Sequence, residues 1–379
     1  MSPAEGSQGE ELTRPAELAS VLVVGAGLMG ASVGLALRAR GVAVYLADRS
    51  DAAAALAEAL GAGFAQSPPD EPDLVVLASP PATVGASLIE WQRLYLRSIF
   101  TDLASVKAGP QQEIEALGGD SSRFVGGHPL AGRERSGAGA ARGDLFEARP
   151  WVLTPSAQSS VLALRRSEQL VALCGAQAVI MTPARHDEAV ALVSHVPQVV
   201  ASLAAARLAE ADGDLVALAG QGLRDVTRIA ASDPALWTEI LATNATHVRR
   251  VLDALAADLD KVRNALVRIE ESTSLQIDRS LSQPIDALLR SGNVGYRHIP
   301  GKHGAPPAAY SMVRVVIKDR PGELARLLVA SGDAGINVED VAIEHSPGQP
   351  VGLVELAVRP DAASDLAVAL RAAGWSVHY

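Results

Sequence analysis

The chain has 379 residues, of which 48% are hydrophobic and 20% charged, and its formal net charge is −10. That length suits two or three domains, the composition excludes a disordered chain, and the acidic balance argues against nucleic acid or an anionic membrane surface as a partner. A single cysteine, Cys174, excludes an internal disulfide and a cysteine-rich metal site, and fits a reducing, cytoplasmic setting.

Residues 1–19 are polar and acidic and lack a basic segment followed by an apolar core. They read as a disordered tail and not as a signal peptide. Residues 18–37 carry no charge, as a membrane span would, but Gly25, Gly27, Gly30 and Gly34 fall within them and suit a strand, turn and helix instead. Across 20–182, β-type runs at Val21–Val24, Val42–Leu46, Leu74–Ala78, Ile99–Leu103, Phe124–Gly126 and Trp151–Thr154 alternate with helical stretches. That alternation predicts a parallel, doubly wound α/β sheet. Thr182-Pro183 is a helix start, a capping hydroxyl followed by proline at the first helical position, and 183–290 reads as an Ala- and Leu-rich helical domain. Residues 291–310 are rich in Gly, Pro and basic residues and read as a linker. Residues 311–379 follow the order β-α-β-β-α-β, a ferredoxin-like module.

Directly after the first strand, Gly25-Ala26-Gly27-Leu28-Met29-Gly30 forms G-x-G-x-x-G at the head of a helix. Gly25 allows a tight turn, Gly27 lets the backbone approach a pyrophosphate, and Gly30 lets helix and strand pack closely. The free N–H groups of the helix start, at Leu28 and Met29, face the phosphates. Asp48 ends the second strand, where a carboxylate takes ribose hydroxyls, and so favours NAD over NADP; Arg49 beside it leaves room for NADP. This is the fingerprint of a Rossmann-type domain.

Ligands bind outside the carboxyl ends of parallel strands, and three segments emerge there: Ser79-Pro80-Pro81, the 101–107 stretch TDLASVK with Ser105, and the 126–132 stretch GGHPLAG with His128. A lone histidine is most often structural, but His128 sits on a constrained loop at a strand end in a cofactor sheet. In the helical domain His195 lies just before a proline inside an apolar helix. Arg228, in an otherwise apolar run, is either the ion-pair partner of Asp225 or a fork for a carboxylate. Ser232-Asp233-Pro234 and Trp237 follow.

Together the segments VVGAGLMGAS, TDLASVK, GGHPLAGRERSG, SHVPQ, RDVTRIAASDPALW and GNVGYRHIPGKHG resemble the prephenate/arogenate dehydrogenase family, in family order from about residue 20 to 304. The tail, with Asp319-Arg320-Pro321-Gly322 and Gly335-Ile336-Asn337, resembles an ACT domain. The resemblance implies NAD-dependent oxidative decarboxylation of prephenate, with arogenate as the alternative substrate. It implies that His128 accepts the hydrogen bond of the substrate's ring hydroxyl, that Ser105 bonds near that hydroxyl and the nicotinamide, and that His195 is a second active-site histidine. Arg228 would hold a carboxylate, with Glu134 and Asp225 near the pocket entrance. Arg133 departs from the small polar residue expected there.

No metal is called for, because an arginine fork and an acceptor histidine suffice to hold the dianion and take its proton. Asp319, Gly322 and Asn337 are expected to receive an amino-acid effector, tyrosine or phenylalanine. The helical domain is expected to pair as a homodimer. The stretch before the first strand is too short for a fused chorismate mutase. Two rival readings remain: a β-hydroxyacid dehydrogenase, which would ordinarily carry a catalytic lysine on the helical domain, and a non-catalytic NAD and amino-acid sensor.

Overall fold

The computed structural model describes residues 18–132, 137–272, 279–299, 310–345 and 350–378. The chain divides into two compact units, Met1–Ala254 and Leu255–Tyr379. The division falls short of residue 290, where the helical segment was expected to end.

The first unit is built on seven strands: β1 (Ser20–Val24), β2 (Ala43–Ala47), β3 (Leu74–Leu77), β4 (Ile99–Asp102), β5 (Phe124–Pro129), β6 (Pro150–Thr154) and β7 (Gln177–Ile180). Their order in the sheet is β2-β1-β3-β4-β5-β6-β7. Helices α1 (Leu28–Arg38), α2 (Asp51–Ala59), α3 (Val84–Leu94), α4 (Ala108–Ala116) and α5 (Val161–Leu173) cover it. Side chains alternate along a strand, and the two cores follow from that. Val21, Val23, Leu74 and Val76 enter one, while Leu22, Val75 and Leu77 enter the other. This is why β3 is apolar at every position, as a strand covered on both faces must be.

The sheet is not wholly parallel, as the alternation had predicted. β1 to β5 run parallel, β6 runs antiparallel to β5, and β7 runs parallel to β6. The described part of the 130–149 connection holds only the short 3₁₀ turn Ala138–Ala140 and no crossover helix, and without a crossover the next strand returns antiparallel. α5 then restores a crossover to β7. β7, absent from the expected strands, is exposed at every residue and so lacks the buried apolar pattern that marks the others. A further isolated bridge pairs Tyr45 of β2 with Phe64.

The helical part begins as expected. Thr182 Oγ1 accepts from Arg185 N and Pro183 opens α6 (Pro183–Val190). A π-helical turn, Ala191–His195, joins it to α7 (Val196–Ala206). α8 (Gly213–Val216), α9 (Gln221–Thr227), α10 (Pro234–Thr243) and α11 (Ala245–Glu270) follow. Residues 183–206 are long and apolar enough to cross a membrane by composition. Asp187 within them, however, accepts hydrogen bonds from the backbone N–H groups of Lys107 and Ala108, which tie the helix to the sheet domain. The local core here is small: Ala191, Val196 and Val248. Leu192, Val193, Leu203 and Leu218 stay exposed.

In the second unit α12 (Arg279–Tyr296) runs on into the segment read as a linker; 300–309 lie outside the described residues. The rest is β8 (Ser311–Lys318), α13 (Glu323–Asp333), β9 (Asp340–His345), β10 (Val351–Val358), α14 (Pro360–Ala372) and β11 (Ser376–His378). The antiparallel sheet has the order β11-β8-β10-β9. Val313, Val315 and Ile317 of β8 and Val354, Leu356 and Val358 of β10 pack on Leu327, Leu366 and Leu370 of the two helices. That is the ferredoxin-like topology read from the β-α-β-β-α-β order.

Candidate active site

Because β1 to β5 are parallel, the loops after β1, β3 and β4 and the last residues of β5 share one edge of the sheet. Gly25 has φ +108°, and a Cβ on it would lie 2.5 Å from Ala78 O. A Cβ on Gly30 would lie 1.9 Å from Gly25 O. Gly25 is therefore demanded by its positive φ and by the close approach of the residue after β3, and Gly30 by the turn itself. Gly27 is different: nothing lies within 4 Å of where its Cβ would be. It opens α1, whose start has no side-chain cap. Leu28 and Met29 form the first turn, Met29 packing on the core. Asp48, just past β2, accepts from Ala26 N at 2.7 Å and from Ser50 N at 2.8 Å, which holds its carboxylate against the glycine loop. Ser79 Oγ is buried with no hydrogen-bond partner among the described residues. An open recess beside Asp48 is lined by Asp51, Gln66, Ser67 and Pro68. An uncapped helix start, clear space at Gly27, a fixed carboxylate and an orphaned hydroxyl together fit a dinucleotide, with pyrophosphate on α1 and ribose on Asp48.

His128 lies within β5, paired with Val152 of β6, and not on a loop. The antiparallel return of β6 extends β5 past the two glycines that had suggested a turn. Those glycines make room below the strand. A Cβ on Gly126 would meet Thr154 Oγ1 at 2.5 Å and Lys107 Cδ at 3.2 Å, and one on Gly127 would meet Asp102 O at 2.7 Å. Lys107, 1% exposed, forms an ion pair with the fully buried Asp102 and donates to Gly127 O at 2.6 Å. Asp102 accepts in turn from Gly127 N at 2.8 Å and Ala104 N at 3.1 Å. Burial lowers the Lys107 pKa, against the pull of Asp102 and Asp187. Ser105, partly buried, sits in the loop between this pair.

His128 Nδ1 lies 2.8 Å from Nε2 of the buried His186, whose Nδ1 lies 2.7 Å from Asp187 Oδ1. Burial first, and then His186, Lys107 and His195, hold the His128 imidazolium well below the ordinary histidine value. Burial works to raise the Asp187 pKa but is outweighed by hydrogen bonds from His186 and from the Ala108 and Lys107 amides, so the carboxyl titrates low. His195, 2% exposed, ends the π-helical turn. Its Nδ1 lies 3.1 Å from Asn244 Nδ2, which also donates to Asp187 O at 2.8 Å. Burial, aided by His186 and opposed by Asp187, brings its pKa down to about 4. Trp237 stands edge-on to its ring, centroids 6.1 Å apart.

His128, His195 and Ser105 had been singled out in the sequence; His186, Asp187, Asn244, Asp102 and Lys107 had not. For His186 and Asp187 the available signal was placement: they stand one turn ahead of the buried Val190, between Arg185 and Glu188. Arg228 opens a 3₁₀ turn, is exposed, and makes no ion pair with Asp225 among the described residues. Asp225 instead accepts from Gln221 Nε2 at 2.8 Å. Glu134 and Arg133 lie outside the described residues. In the second unit, Gly322 (φ +88°) caps α13, and Asp319 is exposed beside it. Asn337 precedes β9 and does not begin it; its amide donates to Glu339 at 2.7 Å.

Residues 33–182 match the family description "Prephenate dehydrogenase, nucleotide-binding domain", and residues 182–277 match "Prephenate dehydrogenase, dimerization domain". A Streptomyces niveus protein, "Probable prephenate dehydrogenase NovF", is 39% identical over 94% of this chain and 98% of its own length. The chain belongs to the prephenate dehydrogenase family. The Bacillus subtilis prephenate dehydrogenase is 28% identical over 90% of this chain and 92% of its own length. Among solved structures, the family member from A. aeolicus, in complex with hydroxyphenyl propionate and NAD⁺, superposes with a TM-score of 0.64 at 27% identity, covering 75% of this chain and 99% of that one. Synechocystis arogenate dehydrogenase superposes with a TM-score of 0.59 at 25% identity, covering 74% and 100%.

Proposed function

We propose that this chain is an NAD-dependent dehydrogenase that converts prephenate to 4-hydroxyphenylpyruvate and carbon dioxide. The observation that carries this is His128: an imidazole kept neutral by its surroundings, on the same sheet edge as the nucleotide loop. The likeness to relatives named for prephenate supports it.

Prephenate is a dianion whose ring hydroxyl lies para to a carboxylated quaternary carbon. Bound at the glycine loop, NAD supplies the hydride acceptor. Neutral His128 takes the hydroxyl proton as the carbon beneath it is oxidised. The bond to the carboxylate opposite breaks, its electron pair enters the ring, and the product is aromatic. Aromatisation provides the driving force, so the side chains have to orient more than to activate. Ser105 bonds beside the hydroxyl, Arg228 holds a carboxylate, His195 meets the substrate from the helical side, and Asp225 flanks the entrance, a role that the family resemblance alone extends to Glu134. Asp48 holds the ribose, and Leu28, Met29 and Ser79 border the dinucleotide.

In this reading residues 20–182 bind the dinucleotide. Residues 183–290 bind substrate and pair with a second copy through the exposed Leu192, Val193 and Leu203. Residues 311–379 form an ACT domain that takes tyrosine or phenylalanine near Asp319 and Gly322, and the enzyme works in the cytoplasm. The test is NADH formation by the purified chain with NAD and prephenate, beside arogenate. No NADH from prephenate refutes the assignment, and faster turnover of arogenate transfers it to that substrate. Removal of 311–379 is expected to keep activity and abolish any response to the two amino acids.

A further inference from the structure

Behind His128 and His195, one aspartate is linked by hydrogen bonds toward both, through His186 and through Asn244. Asp187 is 2% exposed. Its carboxylate accepts from His186 Nδ1 at 2.7 Å, from Lys107 N at 2.8 Å and from Ala108 N at 2.9 Å. An ionised carboxylate only accepts, so His186 carries its proton on Nδ1. The other nitrogen of a neutral His186, Nε2, is then a lone pair, and it lies 2.8 Å from His128 Nδ1. His128 must donate there, which leaves its Nε2 bare.

The backbone carbonyl of the same aspartate governs the second histidine. Asp187 O can only accept, so the Asn244 atom 2.8 Å away is the amide nitrogen. That nitrogen also lies 3.1 Å from His195 Nδ1, which must therefore be the lone pair. The proton of neutral His195 then resides on Nε2. Neither His128 Nε2 nor His195 Nε2 has a hydrogen-bond partner among the described residues.

We infer that Asp187 is a positioning residue that sets the tautomers of both histidines in opposite senses, through His186 toward His128 and through Asn244 toward His195. His128 thus presents a bare nitrogen able to take a proton. His195 presents an N–H that welcomes a ketone or carboxylate oxygen and repels an ammonium. The pair of histidines is polarised for a hydroxylated keto acid before substrate arrives. This rests on reading His128 as the proton acceptor.

The experiment has two arms. In the first, magic-angle-spinning ¹⁵N–¹³C spectra of the full chain carrying labelled histidine are recorded without substrate, and rings are assigned through His128→Gln, His186→Gln and His195→Gln. Nδ1–H on His128 and His186 and Nε2–H on His195 are expected. Nε2–H on His128, a doubly protonated His186, or Nδ1–H on His195 overturns the inference. This arm needs no turnover, so it fails or succeeds independently of the substrate assignment.

In the second arm, Asp187→Asn is assayed with prephenate. A kcat lower by on the order of 10²–10⁴, with KM for NAD and prephenate within a few-fold of wild type, is expected of a base in the wrong tautomer. Near-wild-type kcat refutes the positioning role, as does loss confined to KM. An inactive wild type instead refutes the proposed function. If Asp187→Asn does not fold, the wild-type spectrum alone decides.

Discussion

Removing the Lys107 ammonium should strike both the stability of the sheet domain and the titration of His128. Lys107→Met keeps the aliphatic stem that passes below Gly126 but leaves Asp102, 0% exposed, as a buried carboxylate. Its remaining donors are Gly127 N and Ala104 N, and Gly127 O loses the donor it had. Breaking one side of a buried ion pair costs about 3–5 kcal/mol. For a unit of this size that is a fall in Tm on the order of 10 °C. Asp102→Asn in the Lys107→Met background removes the stranded charge and should recover part of the loss, so the double variant is expected to be more stable than the single one. Denaturant unfolding followed by tryptophan fluorescence reports on this region, since Trp151 is buried in the adjoining β6. The Lys107 ammonium also helps hold the His128 pKa down, so the acid limb of the pH–rate profile should move to higher pH in Lys107→Met. A single variant within about 1 kcal/mol of wild type, or a double variant less stable than the single, would refute the view of this pair as an anchor beneath β5.

Loss of the Arg228 side chain is expected to weaken prephenate binding by about 2–5 kcal/mol with NAD binding intact; an unchanged KM for prephenate in Arg228→Ala removes it from the site. Asp48→Ala should raise KM for NAD and narrow the gap to NADP, and a wild-type enzyme that already prefers NADP contradicts the ribose assignment. His195 contributes an acid sensitivity whose sign is fixed. Its folded pKa of about 4 lies below the ordinary 6.5, so the stability is fully present above about pH 6.5. It is lost as the pH falls toward 4, by about 3 kcal/mol in all. Chemical unfolding at several pH values should therefore show a steeper acid loss in wild type than in His195→Gln, and equal slopes would count against it.

The dinucleotide loop was legible because its chemistry is local: Gly25 and Gly30 answer to a turn and a contact within the same βα unit. The alternation of strands and helices disclosed the sheet, and the β-α-β-β-α-β order disclosed the small module. What stayed hidden depended on distant partners. The reversal at β6 follows from a connection without a helix, and β7 has no buried face to give it a pattern. His186 and Asp187 gain their meaning only when α6 docks on the loop that carries Lys107, which lies about 80 residues earlier. Arg228 had two readings in the sequence, and the ion pair with Asp225 is the one that the described residues do not contain.

The π-helical turn at Ala191–His195 has a consequence for insertions and deletions. His186 and His195 are nine residues apart and both buried. An unbroken α-helix advances about 100° per residue, which would set them half a turn out of phase, one inward and one toward solvent. Pro197 offers no N–H, and the chain closes its wider turn with Val196 N donating to Ala191 O. The surplus residue acts as a phase adapter, letting one continuous rod turn two different stripes to the same interior. Deleting any one of Leu192, Val193 or Ser194 should relax the rod to a regular helix with little net rotation downstream, because eight α-helical steps set the second histidine about 80° from the first, close to where the wider turn already puts it. The helix and the approach of its second histidine to Asn244 should survive such a deletion, while one residue inserted there instead would swing that histidine away by about a quarter turn.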